Sequence, residues 1–167
     1  ESRTLISLIE PNSCYAGFLS ELIFAADRSY MAEGEFEEYD DKEASIILSN
    51  SNFGNFLMSN DMSRLDTRFI GSPEQILLAK QNLEKHILAQ EAHDLGLITF
   101  KFDDIDWDDE IRVFLEERNS FSPDSMVGLE ANLRFPGKET METKIFGRLS
   151  AWQNWIFQTH IFFSFFL

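Results

Sequence analysis

Cysteine and basic residues are scarce in this chain of 167 residues, which is long enough for one domain with a hydrophobic core. Cysteine occurs once, at Cys14, so an internal disulfide is excluded and a reducing, cytoplasmic setting is favoured. Because 14 Lys and Arg stand against 29 Asp and Glu, the formal net charge is −15 at pH 7. Nucleic-acid binding needs clustered basic side chains, so this composition argues against a nucleic acid as partner.

Long apolar runs are also lacking. No stretch reaches the ~18 apolar residues that a membrane span requires, and we expect no secretory signal. The segment 159–167 is rich in Phe and has no Asp, Glu, Lys or Arg, a pattern typical of aggregation-prone ends. We interpret it as an aberrant apolar tail from a shifted frame, an unremoved intron or a truncated gene. A membrane or partner anchor is the weaker alternative, because the segment is short and has no amphipathic pattern.

The first part of the sequence predicts a strand, a turn and a helix. The apolar run 4–9 is too short for a helix and predicts a buried strand, and a helix begins near Gly17 or Phe18. The first N–H groups of such a helix have no internal partner and favour an anion. Glu21 follows one turn later and is a candidate acid/base, although a Glu in a first helical turn is commonly only structural, with a stabilisation of about 0.3–1 kcal/mol. Cys14 lies in the turn and is interpreted as a small buried thiol rather than a nucleophile.

Later segments predict one short strand and several helices. The segment 45–48, with three apolar residues after Ser45, predicts a short strand that brings Asn50 to the carboxyl edge of the sheet, where ligands bind in α/β folds. Ser72 and Pro73 predict the start of a long helix whose apolar face continues to Leu88. Further helices are predicted after the acidic run 103–110, at 122–135 and at 139–158.

Several of these residues resemble the crotonase (enoyl-CoA hydratase/isomerase) superfamily. The residues that fall on its Asn-Gly…Gly-Gly-x-x-Glu-Leu…Asp segment are Asn12, Gly17, Glu21, Leu22 and Asp27. The resemblance implies that a backbone N–H of Gly17 or Phe18 helps to hold a thioester enolate oxygen. It also implies that Glu21 is a general acid/base. The glycine triplet of the family is Gly17-Phe18-Leu19 in this chain, so bulkier side chains stand beside the substrate.

A second block of the superfamily resembles Asn52-Phe53-Gly54 followed by Arg64-Leu65. Hydratases carry their second catalytic Glu four residues before the glycine of this block, and Asn50 occupies that position. Asparagine cannot exchange a proton with water, which argues against simple hydration by two carboxylates. We expect Asn50 to orient a water or a ring oxygen by hydrogen bonding.

One branch of the superfamily fits better than the rest, the benzoyl-CoA-dihydrodiol lyases. The segments that resemble it are 13–17, 102–107, 130–135 and 139–158. The resemblance implies cleavage of the ring of 2,3-epoxy-2,3-dihydrobenzoyl-CoA with two waters, which gives 3,4-dehydroadipyl-CoA semialdehyde and formate in aerobic benzoate degradation. Another enoyl-CoA hydratase or isomerase, and a catalytically inactive truncated remnant, stay open as alternatives.

The resemblance also implies an architecture. We expect an α/β fold in which 1–98 form the C-terminal part of a crotonase-like ββα superhelix core and 99–158 form a helical C-terminal region, followed by the aberrant tail at 159–167. The superfamily fold needs strands N-terminal to those found here, so we expect a C-terminal fragment of a longer enzyme that is inactive alone.

The expected ligand is a CoA thioester, and no cofactor is expected because CoA is part of the substrate. No metal site is predicted, since His86 and His93 lack a third ligand at matching geometry. The resemblance implies self-association of the full-length protein as a homo-oligomer.

Overall fold

The computed structural model describes residues 4–36, 39, 42–133 and 139–158. The chain divides into two compact units, Thr4–Val113 and a second that holds the described residues from Phe114 onward. Every site residue proposed from the sequence lies in the first unit.

Parallel strands and short helices make up the first unit. The strands are β1 (Ile6–Ile9), β2 (Tyr15–Ala16), β3 (Arg28–Ala32), β4 (Ile46–Ile47) and β5 (Phe100–Phe102). The helices are α1 (Glu21–Ala25), α2 (Arg64–Arg68), α3 (Glu74–Lys80), α4 (Ala89–Asp94) and the beginning of α5 (Trp107–Asn119), with 3-10 turns at Gly17–Ser20 and Asn50–Asn52. Strands and helices are interspersed and the strands pair in parallel, which confirms the predicted α/β class.

The larger sheet has β3 in its centre, between β1 and β5. All residues of β3 after Arg28 are buried, as expected for a central strand of a parallel sheet with both faces covered. The segment that leads into β5 is attached to β3 by Ser29 and Thr99. The N–H group of each residue lies 3.0–3.1 Å from the side-chain oxygen of the other.

A smaller sheet of β2 and β4 supports the two 3-10 turns. Tyr15 pairs with Ile46 and Ala16 with Ile47 in parallel register. The turn Gly17–Ser20 follows β2 directly, and the turn at Asn50 begins three residues after β4 ends. Because the two strands are parallel, both turns start from the same carboxyl edge, which is the usual position of ligand sites in α/β folds.

Helix α3 is shorter than the sequence predicts, because it ends at Lys80. The apolar residues beyond it form isolated bridges to the region of β4: Leu83 pairs with Leu48, and Ile87 with Ile46. Ile87 is fully buried there. The predicted continuation of the helix is therefore wrong, since pairing with a strand edge and tertiary burial override the helical periodicity.

The second unit consists of helices. Its described elements after α5 are α6 (Pro123–Leu133), α7 (Met141–Lys144), a π-helical turn (Ile145–Leu149) and α8 (Ser150–Gln158). A Cβ at Gly128 of α6 would lie 3.6 Å from the ring of Trp152 on α8, an ordinary van der Waals distance, so the two helices pack against each other at this point. Trp152 and Trp155 meet edge to face with ring centroids 5.2 Å apart.

The boundary predicted after residue 98 falls inside the first unit. Strand β5 comes after that point and pairs with β3, so the sheet core continues beyond the predicted limit. The predicted tail, 159–167, lies outside the described residues.

Candidate active site

The turn after β2 depends on Gly17. Its φ is +53°, in the left-handed region that residues with a Cβ adopt only at a cost. A Cβ at this position would also lie 3.3 Å from the side-chain oxygen of Ser49. Phe18, the next residue, keeps its ring largely exposed and in edge contact with Phe56, at a centroid distance of 5.1 Å. Glycine therefore permits both the reversed backbone and the close approach of Ser49.

Ser20 fixes the turn to the smaller sheet. Its side chain is fully buried, and its hydroxyl oxygen lies 3.0 Å from the carbonyl oxygens of both Tyr15 and Ile47. Because these carbonyls belong to β2 and β4, the start of α1 is held against the carboxyl edge of both strands. Glu21 is the next residue, so its backbone position follows from the same anchor.

Glu21 is a buried carboxylate with both oxygens engaged. The residue is only 7% exposed, although it begins α1 directly after the 3-10 turn. Its Oε1 accepts a hydrogen bond of 2.7 Å from Nδ2 of Asn52, and its Oε2 accepts one of 3.1 Å from Nη1 of Arg64. Hydrogen bonds and a nearby cation are what a buried charge requires in order to be tolerated.

Asn52 and Arg64 reach this carboxylate from two separate segments. Asn52 ends the 3-10 turn after β4, and its Oδ1 accepts a bond of 2.9 Å from the N–H of Ser49. Arg64 is the first residue of α2, whose start is capped by Ser63 and Asp66: the Ser63 hydroxyl oxygen accepts from the Asp66 N–H at 3.0 Å, and the Asp66 carboxylate accepts from the Ser63 N–H. The cap therefore fixes the backbone position of Arg64, from which its side chain extends to Glu21.

The structure brings some of the predicted site residues together. Gly17 and Glu21 share one partner, since Asn52 Nδ2 also donates to the carbonyl oxygen of Gly17 at 2.9 Å. Asn50 is exposed at the start of its 3-10 turn, and the amide that touches Glu21 is that of Asn52, two residues later. The roles predicted for Gly17, Phe18, Glu21 and Asn50 stay predictions. Asn52 and Arg64 were missed as site residues, although both lie in the Asn-Phe-Gly…Arg-Leu block that carries the resemblance.

Cys14 is exposed, so the prediction of a buried thiol is wrong. It lies in the loop between Pro11 and β2, where Ser13 donates its N–H to the carbonyl oxygen of Glu10 and its hydroxyl oxygen accepts from the N–H of Glu10. Pro11 is fully buried in this loop, whereas the Cys14 side chain points outward. Because Pro11 and the hydrogen bonds between Ser13 and Glu10 already anchor this loop, burial of the Cys14 side chain is not needed to hold it.

Glu10 connects this loop to α5. Its Oε1 accepts a hydrogen bond of 3.2 Å from the indole N–H of Trp107, and its Oε2 lies 3.5 Å from the hydroxyl of Tyr39. Trp107 is buried and meets Phe36 edge to face at 6.1 Å. The end of β1, which leads into the turn, is thus attached to the first residue of α5.

Metal-binding clusters and membrane-spanning helices are both absent from the described residues. No group of three or more His, Cys, Asp and Glu side chains within them has a metal-binding arrangement. None of the helices described is both long and apolar enough to cross a membrane.

One curated protein gives a clear sequence match. The benzoyl-CoA-dihydrodiol lyase of Aromatoleum evansii is 49% identical over 156 residues, which are 93% of this chain and 27% of that protein. The chain therefore spans about a quarter of the length of this relative. No protein-family model matches the chain.

Solved enoyl-CoA hydratases have a similar fold. The enoyl-CoA hydratase of Thermoplasma volcanium gives a TM-score of 0.68 at 16% identity, over 98% of this chain and 58% of that one. The human enoyl coenzyme A hydratase domain-containing protein 3 gives 0.65 at 14% identity, over 97% and 58%. The fold and the sequence match agree with the resemblance found in the sequence: the chain has the fold of solved enoyl-CoA hydratases, and 93% of its length is similar to one segment of a benzoyl-CoA-dihydrodiol lyase.

Proposed function

We propose that this chain carries the acid/base part of an active site that opens the ring of 2,3-epoxy-2,3-dihydrobenzoyl-CoA with two waters. The products are 3,4-dehydroadipyl-CoA semialdehyde and formate. The sequence match to a benzoyl-CoA-dihydrodiol lyase, at 49% identity over 93% of the chain, supports this choice. Since the chain spans 27% of that relative, the activity is assigned to a polypeptide that contains these residues together with the rest of the fold. That polypeptide acts in the cytoplasm as a homo-oligomer, and CoA enters only as part of its substrate.

The observation that carries the chemistry is the buried carboxylate of Glu21 beside the Gly17 turn. A single amide, that of Asn52, lies 2.7 Å from the carboxylate and 2.9 Å from the Gly17 carbonyl oxygen, so acid/base and turn are immediate neighbours. An oxyanion donor and a proton-transfer group are both needed within reach of one thioester. The Gly17 turn and Glu21 supply this pair.

Each residue has a distinct role in the proposed reaction. A backbone N–H of Gly17 or Phe18 donates to the thioester oxygen and draws electrons out of the ring, and such stabilisation of developing charge is usually the largest catalytic contribution. Glu21 takes the proton of the attacking water and later returns it. Asn50, exposed at the start of the 3-10 turn after β4, orients a water or the ring oxygen.

Formate release tests the proposal directly. The 167-residue chain and the full-length gene product are incubated with synthetic 2,3-epoxybenzoyl-CoA, formate is measured enzymatically, and the thioester product is identified by mass. We expect the full-length protein to release one formate per ring opened and the 167-residue chain alone to be inactive. Glu21→Gln in the full-length protein is expected to lower kcat by about 10²–10⁴-fold, because the amide cannot transfer a proton.

Two results would contradict this function. Hydration of crotonyl-CoA without any formate from the epoxide would assign the protein to the ordinary enoyl-CoA hydratases. An unchanged kcat of the Glu21→Gln variant would remove Glu21 from the chemistry. Asp104→Asn, an exposed carboxylate in the acidic run before α5, is the matched control and is expected to behave as wild type.

A further inference from the structure

We propose that Asn52 and Arg64 are positioning residues that hold the carboxylate of Glu21 in one orientation, a role that rests on the proposed function of Glu21 as acid/base. Neither residue was assigned a function from the sequence. Both contact Glu21 directly, and they do so at different oxygens.

The amide of Asn52 can point only one way. Its Oδ1 accepts the N–H of Ser49 at 2.9 Å, so its Nδ2 faces the carbonyl oxygen of Gly17 and Oε1 of Glu21. An amide nitrogen has two N–H donors, and both are used. A flipped amide would set an oxygen against two acceptors and an NH₂ group against a donor. The environment therefore fixes the donor that Glu21 receives.

Arg64 holds the second oxygen and is the more exposed of the two partners. Asn52 is 1% exposed, whereas the side chain of Arg64 is 29% exposed, and its Nη1 lies 3.1 Å from Oε2 of Glu21. A carboxylate held at one oxygen still rotates about its last bond, but a carboxylate held at both oxygens has a fixed plane. A misplacement of about 1 Å in a catalytic group can cost about 10²-fold in rate, so this restriction matters for turnover.

Asn52 also links the carboxylate to the oxyanion turn. Since one nitrogen donates to both Gly17 and Glu21, a displacement of the turn is transmitted to the carboxylate. The oxyanion turn and the carboxylate of Glu21 are therefore held at a fixed position relative to each other. Asn52, and not the exposed Asn50, makes the two hydrogen bonds that join the turn to the carboxylate.

Steady-state kinetics of full-length variants test the role. Asn52→Asp places a second carboxylate 2.7 Å from Glu21, and Arg64→Met removes the cation. Each is expected to lower kcat about 10- to 100-fold, with KM for the thioester changed less than about twofold, because binding of the CoA moiety is not affected. Arg64→Lys is expected to recover part of kcat. The controls Asn119→Asp and Arg112→Lys change the same residue types at exposed positions of α5 and should leave both constants unchanged.

A double-mutant cycle gives a readout that does not depend on turnover. Urea unfolding is measured for Glu21→Ala, Arg64→Met and the double variant. A second cycle pairs Glu21→Ala with Asn52→Ser, and Asn52→Ser also serves in the kinetic test if the Asn52→Asp protein does not fold. Coupling of about fivefold or more in the unfolding equilibrium constant is expected for both pairs.

The outcomes separate the two proposals. Zero coupling overturns the inference, and so does coupling without any fall in kcat of an active enzyme. A wild type that releases no formate refutes the proposed function instead. The coupling then decides whether Asn52 and Arg64 hold Glu21.

Discussion

Replacement of Gly17 by Ala offers a quantitative test of the turn geometry. The left-handed conformation at φ +53° costs a residue with a Cβ about 1–2 kcal/mol. A further cost arises because the new Cβ would lie 3.3 Å from the Ser49 Oγ, which is itself held 2.6 Å from the Ser51 Oγ and cannot easily retreat. The lower entropy of the unfolded Ala chain offsets about 0.4–1 kcal/mol. The net loss expected is about 1–2 kcal/mol.

Urea unfolding measures this loss in the first unit. The chain has three tryptophans, so replacing Trp152 and Trp155 by Phe leaves Trp107 as the fluorescent reporter of the first unit. The midpoint for Gly17→Ala is expected to fall by about 0.5–1 M, with the slope unchanged. In a Ser49→Ala background the loss should be smaller, since the oxygen that the Cβ meets is absent.

A second glycine provides the control for this experiment. Gly71 has no positive φ, and nothing lies within 4 Å of the position of its Cβ. Gly71→Ala is therefore expected to be neutral or to stabilise by up to about 1 kcal/mol. If Gly17→Ala behaved like Gly71→Ala, both the strain and the contact with Ser49 would be refuted.

Two further predictions concern other parts of the chain. Hydrogen bonds from its own backbone N–H and from the Thr140 side chain lower the pKa of the exposed Glu142 carboxyl. Its contribution to α7 is thus present above the ordinary pKa of an unfolded Glu, about 4.5, and is lost as the pH falls through the lower pKa of the folded state. The stability difference between wild type and Glu142→Gln should vanish in acid, and a difference independent of pH would contradict the bonds. Trp107→Phe removes the donor to Glu10 and is expected to cost about 1–3 kcal/mol in urea unfolding, whereas Trp155→Phe should cost less because Trp155 is 43% exposed.

Local signals predicted the part of the site that lies close in sequence. A short apolar run followed by a polar turn gave β1, and Gly17 marked the turn before α1. These features depend on neighbouring residues, so chain order is enough to find them. The position of Glu21 at the carboxyl edge followed from the same pattern.

The partners of Glu21 could not be found in that way. Asn52 and Arg64 lie 31 and 43 residues further along, and only the packed fold determines which of several polar side chains in that block turns inward. The family pattern pointed to Asn50, whose role stays a prediction, and it gave no sign that Asn52, at the end of the same 3-10 turn, makes the buried contact with Glu21.

The predicted length of α3 was wrong for a related reason. The apolar spacing beyond Lys80 is compatible with a helix, yet Leu83 and Ile87 are used as bridges beside β4. Hydrophobic periodicity reports only on the segment in which it is measured. It carries no information about the edge of a strand that lies more than thirty residues earlier in the chain.

The central position of β3 has a consequence for chain connectivity. β1 and β3 pair across 22 residues, whereas Ser29 and Thr99 are joined across 70. The entropy of closing the longer loop exceeds that of the shorter by about 1 kcal/mol, a difference of the order of one net hydrogen bond. The reciprocal bonds between Ser29 and Thr99 stand where β5 first meets the sheet, and so offset the entropy of bringing a distant strand to its edge.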